Sequence, residues 1–152
     1  MVFFSYSGLK KAKTQFQNNG FDYLANLPAM SWKDHKQPMD PCNLRAHILY
    51  SGNVLLMWSY ADSILEKVDV QRYNIFRSEK CPVDFNDAED LIRITTKADT
   101  FYVDQSVQSA HGYYYFVTAL DRVNNESPPS NEVFVMIPQS DISDNLKRVN
   151  SE

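Results

Sequence analysis

Only two cysteines, Cys42 and Cys81, occur among 152 residues, too few for a fold stapled by disulfides. Basic charge is also short: 15 Lys and Arg stand against 19 Asp and Glu, a net charge of −4. That balance argues against nucleic acid or an anionic membrane as main partner, since both need a basic surface. Apolar runs last only a few residues, so no membrane span is expected. Residues 1–7 carry no basic stretch leading into an apolar core and cleavage site, and no signal peptide is expected there. His35, His47 and His111 are scattered, with no second ligand at metal spacing. The acidic group Asp84, Asp87, Glu89 and Asp90 lacks the turn glycine of a calcium loop and reads as a solvated connection. No Cys–His pair with an orienting group is suggested, so nucleophilic catalysis is unsupported. Neither a metal nor a cofactor is expected.

What is present is enough apolar material for a packed core: 43% hydrophobic and 13% aromatic residues. Three zones follow one another. Residues 1–40 mix apolar and helix-favouring stretches and end in a proline-containing linker. Within them Leu9, Ala12 and Phe16 fall at helical spacing, beside the basic run Lys10, Lys11 and Lys13, and predict a short helical extension. Residues 41–138 alternate short apolar runs with turn signals, and residues 139–152 form a polar tail expected to be disordered.

The middle zone predicts seven strands, over residues 43–48, 54–58, 70–77, 93–96, 100–104, 113–120 and 132–137. So many short strands in about a hundred residues are the pattern of an all-β, seven-stranded antiparallel immunoglobulin-like sandwich. A helical turn capped by Asp87 is expected over residues 87–91. Period-two alternation puts Val54, Leu56 and Trp58 on one face, Tyr73 and Ile75 on another inward face, and Tyr113, Tyr115, Val117 and Ala119 in the core. Cys42 begins the first strand and Cys81 follows the third. Antiparallel order then separates them by a strand length, roughly 17–20 Å, and both read as free thiols packed like small hydrophobes.

These residues carry a resemblance. Trp58, the run Tyr73-Asn74-Ile75-Phe76-Arg77, and Tyr113 with Val117-Thr118-Ala119-Leu120-Asp121 resemble a fibronectin type III domain over residues 41–138. The segment Asp121-Arg122-Val123-Asn124-Asn125-Glu126-Ser127-Pro128-Pro129-Ser130 resembles the turn before the last strand in bacterial members. The resemblance implies that Tyr113 is a tyrosine-corner residue, its hydroxyl bonded to nearby backbone. The long stretch from Lys80 to Asp99 departs from the family's usual connection.

A second resemblance lies upstream. Phe3-Phe4-Ser5-Tyr6-Ser7-Gly8-Leu9 resembles the last strand of a (β/α)₈ barrel, and Leu27-Pro28-Ala29-Met30-Ser31-Trp32 its exit into a linker. Bacterial glycosyl-hydrolase-like proteins of the family 10-like group end in this way. Residues 1–40 would then be the barrel's end and linker, and the parent an exported, periplasmic or surface-attached hydrolase. A barrel needs about 200 residues or more and draws its catalytic groups from several strands, so this chain is expected to be non-catalytic.

The expected function is an accessory or interaction domain that packs against or orients the parent's barrel. Tyr114 and Phe116 alternate onto the outward face of their strand. With Trp32 they are candidates for an interface, or for stacking on a polysaccharide in the alternative role of a carbohydrate-binding module. The cover expected over Tyr114 and Phe116 is the N-terminal segment with Phe21, Tyr23, Leu24 and Trp32, or the barrel itself. Trp58, Tyr73 and Tyr113 are structural.

Overall fold

The structure, a computed structural model, describes residues 24–60, 70–83, 89–95 and 99–139. Seven strands follow in order: β1 Pro41–Ile48, β2 Val54–Tyr60, β3 Arg72–Ser78, β4 Leu91–Ile94, β5 Phe101–Asp104, β6 Gly112–Leu120 and β7 Val133–Met136. They form two antiparallel sheets, one ordered β1-β2-β5 and the other β4-β3-β6-β7. The β-branched and aromatic content of these runs suits a pleated, half-buried surface, and alternation then decides which residues meet between the sheets. Val54, Leu56 and Trp58 from one sheet face Tyr73, Ile75, Tyr113, Tyr115, Val117 and Ala119 from the other, all buried in one core. Trp58 meets Tyr73 edge to face at 5.3 Å, a geometry the ring quadrupoles favour.

The expected helical extension over residues 9–16, the barrel end over 3–9, Phe21 and Tyr23, and the tail from 140 onward lie outside the described residues. There is no helix among the described residues. The expected helical turn is corrected: Asp87 and Ala88 lie outside the described residues, Glu89 and Asp90 form a turn, and Leu91 already begins β4. β4 thus starts two residues before the expected 93. The reason is pairing, since Leu91 sits opposite Phe76 and Arg93 opposite Ile75. Thr95 lies beyond the strand, yet its hydroxyl accepts from the Tyr73 N–H at 3.0 Å. Cys42 is half-buried and Cys81 exposed, both free. The expectation that they pack as small hydrophobes therefore fails for Cys81, which donates to the Glu132 carboxylate at 3.4 Å. That acceptor, not burial first, raises the thiol's pKa.

A charged staple joins the two sheets. Asp104 ends β5 in one sheet and is fully buried, while Arg77 and Tyr115 come from β3 and β6 in the other. The Asp104 carboxylate accepts from Arg77 Nη1 at 2.8 Å, the Tyr115 hydroxyl at 3.0 Å, and the Ser106 N–H and hydroxyl at 2.9 and 2.7 Å. Arg77 also lies 4.9 Å above the Tyr113 ring. Burial alone would raise the Asp104 pKa, but the Ser106 hydrogen bonds and the Arg77 charge outweigh it and hold the carboxyl below its ordinary value. The same burial, and then the Asp104 charge, push the Tyr115 phenol far upward.

Candidate functional site

The expected aromatics separate into different environments. Phe116 does point outward from its sheet, as alternation requires, but it is only 4% exposed. It stacks on Phe76, the residue opposite it in β3, with ring centroids 4.6 Å apart. Val83 and Leu91 pack over the pair. Phe116 is therefore the centre of a second, smaller core outside the sheet, not a surface platform. Its described cover is Val83, from the β3–β4 connection, and not the N-terminal segment. Tyr114, two residues earlier, is half-buried and leans on Phe134 at 4.7 Å. Phe134 itself is 51% exposed and was not singled out from the sequence, since a lone Phe on a short strand carries no signal.

Trp32 is 75% exposed, on the segment before β1. It lies at the opposite end of β6 from Tyr114, because that segment touches the turn after Leu120. Six residues of strand separate Tyr114 from Leu120, roughly 20 Å at about 3.3 Å each, so Trp32 and Tyr114 do not form one surface.

The segment carrying Trp32 is held firmly. The turn at Met30–Lys33 closes with the Lys33 N–H on the Met30 carbonyl at 2.8 Å, and the Met30 N–H reaches the Val123 carbonyl at 2.8 Å. Asn125 donates through Nδ2 to the carbonyls of Asp34 and Lys36, at 3.1 and 3.2 Å. Pro38 is buried before β1 begins. The residues ahead of β1 thus form a strap across the β6–β7 turn.

The β6–β7 turn is built by its own side chains. Asp121, almost fully buried, accepts from the N–H groups of Val123 and Asn125 at 2.8 and 2.9 Å, and from Asn125 Nδ2 at 2.9 Å. Asn124 takes the left-handed conformation with φ 64°, which asparagine tolerates, and accepts from Arg72. Glu126 accepts from Asn74 Nδ2 at 2.8 Å and from the Thr118 hydroxyl. β7 pairs with β6 only as far as Tyr115. Beyond it, the N–H groups of Val117 and Ala119 would be buried donors without a strand partner, a costly state. The hydroxyls of Ser130 and Ser127 accept them at 3.1 and 2.9 Å. Asn131 then clamps Leu44 of β1 through both amide atoms, at 3.0 Å each. The motif read from the sequence is thus a spine of hydrogen bonds in which nearly every polar residue has a separate partner.

Among the structural aromatics, the Tyr113 hydroxyl accepts from the Gln108 N–H at 3.1 Å. His47 lies exposed on β1, His35 on the strap, and His111 just before β6. No group of three His, Cys, Asp or Glu side chains able to hold a metal occurs among the described residues. No helix among them is long and apolar enough to cross a membrane.

The same sandwich occurs in solved structures. An Fn3-like protein from Clostridium thermocellum is 27% identical, with a TM-score of 0.52 over 68% of this chain and 97% of that one. A myokine structure is 18% identical, with a TM-score of 0.50 over 68% of this chain and all of that one. The FN1–FN3 domains of chicken CNTN1 are 13% identical, with a TM-score of 0.52 over 67% of this chain and 33% of that one. No family model and no curated protein matches the chain. The fold is Fn3-like.

Proposed function

We propose that this chain is a non-catalytic accessory domain from the C-terminal part of a bacterial glycosyl-hydrolase-like protein, packing against or orienting the barrel that precedes it. An Fn3-like sandwich implies no chemistry by itself, so the reading rests on how the domain joins its neighbour. The observation that supports it is the strap. A free tether between two bodies would be solvated along its length, whereas residues 30–36 are hydrogen-bonded at both ends to the β6–β7 turn. Whatever precedes Met30 therefore leaves the sandwich in one direction.

Asn125→Ala removes the donor that holds Asp34 and Lys36. In the 152-residue chain, backbone ¹⁵N order parameters for residues 30–37 are expected near the rigid value of about 0.85 and to fall below about 0.6 in the variant. Loss of these hydrogen bonds should also cost about 1–2 kcal/mol in urea unfolding. Order parameters already low in the unaltered chain would sink the orienting role, and glycosidase turnover by the purified chain would overturn the non-catalytic one.

One observation favours the alternative of a carbohydrate-binding module: the strap holds Trp32 out in solvent, a bulky ring with an open face. Retention on insoluble polysaccharide that disappears with Trp32→Ala would support it, and unchanged retention would remove Trp32 from it.

A further inference from the structure

The end of the sandwich opposite the strap carries a groove of about 300 Å³. That is at the lower limit of small-molecule sites, roughly 300–1,000 Å³, and has room for one or two ring-sized units. Three connections meet there: the β1–β2 turn, the β5–β6 connection and the end of β7. Each is fixed by backbone hydrogen bonds. The Gly52 N–H closes the first turn on the Leu49 carbonyl at 2.9 Å, and the Leu49 N–H returns to Asn53 at 2.8 Å. Gly52 has φ +83°, a conformation that strains other residues. The Ala110 N–H reaches the Ile137 carbonyl at 3.1 Å, and the Ile137 N–H the His111 carbonyl at 2.8 Å. The walls therefore need little reordering to receive a ligand, which lowers the cost of binding.

The lining has a consistent chemistry. Val107, Ile137 and Pro138 supply apolar surface, and Ser51, Asn53, Ser109 and Gln139 supply hydroxyl and amide groups. No residue lining the groove carries a charge. Tyr50 stands at its edge, fully exposed on the tip of the rigid turn. A ring held out in water beside neutral donors and acceptors suits a ligand with an apolar ring face and a rim of hydroxyls. A phosphate, carboxylate or ammonium ligand would find no countercharge there. We propose that this groove is a binding subsite for a neutral saccharide, with Tyr50 stacking on the sugar ring and the amides and hydroxyls taking its hydroxyl groups. It does not depend on the accessory reading, and it lies at the other end of the sandwich from Trp32.

The test is a two-dimensional amide NMR titration of the 152-residue chain with three probes: cellohexaose, xylohexaose and, as an anionic control, hexagalacturonic acid. At millimolar ligand, one or both neutral hexamers are expected to shift the amides of Gly52, Asn53 and Ser109. Tyr50→Ala should weaken that binding about fivefold or more while leaving the spectrum of the core unchanged. Trp32→Ala should leave it unaltered. The proposal is overturned if neither neutral hexamer shifts the groove, if the anionic hexamer binds there as well as they do, or if the shifts survive Tyr50→Ala. Shifts confined to residues around Trp32 would also overturn it, and would support the other carbohydrate reading instead.

Discussion

Replacing Asp104 by alanine is expected to destabilise the fold by about 3–5 kcal/mol, because it leaves the Arg77 guanidinium partly buried without its partner. The same change strands the Tyr115 hydroxyl and the Ser106 groups that now converge on the carboxylate. Asp104→Asn keeps the shape and loses only the charge, so a smaller loss of about 1–3 kcal/mol is expected. The pH dependence separates the electrostatic part. Asp104's folded pKa lies below its ordinary value. A depressed carboxyl contributes stability that is fully present above the unfolded pKa, near 3.8, and is lost as pH falls through the folded one. Urea unfolding should therefore show the unaltered chain ahead of Asp104→Asn at pH 7, with the gap closing below about pH 4. A gap that stays constant down to pH 2 would show that the charge on Asp104 contributes nothing.

Phe116→Ala is expected to cost about 3–5 kcal/mol, as for a large side chain removed from a core. An exposed aromatic at the same place would cost within about half a kcal/mol of nothing. The difference is large because Phe116 is stacked on Phe76 beneath Val83 and Leu91. Tyr114→Ala, two residues away and half-buried against Phe134, should cost about 1 kcal/mol. Urea midpoints for the two variants measured side by side decide the matter. Equal, small losses would mean that the β3–β4 connection does not cover Phe116.

These two positions show what alternation can and cannot tell. It assigned Phe116 to the outward face of its strand, and the residue is there. It could not say that the connection after β3 turns back over that face and brings Val83 onto the ring, because that contact joins residues 33 positions apart. The motif after β6 was legible as a turn, since Asp121, the two asparagines and the two prolines all favour one. Its individual partners were not. Asn125 reaches Asp34 and Lys36, about ninety residues earlier, and Asn131 reaches Leu44 across a similar separation. Tyr50 and Phe134 carried no signal, because one exposed aromatic in a turn or on a short strand is ordinary in any sequence.

By itself the sequence determined the seven strands, the inward rows on β2, β3 and β6, and the turn chemistry that joins β6 to β7. All of these depend on neighbours within a few residues, through the period of the pleat and the backbone preferences of Asp, Asn, Gly and Pro. Only the tertiary structure decided that Phe116 is core and Trp32 is not, that Asp104 and Arg77 tie the two sheets together, and that Tyr50 stands beside an uncharged groove. Each of those depends on which distant segments the fold brings side by side, and burial and charge pairing are properties of that arrangement and not of the local chain.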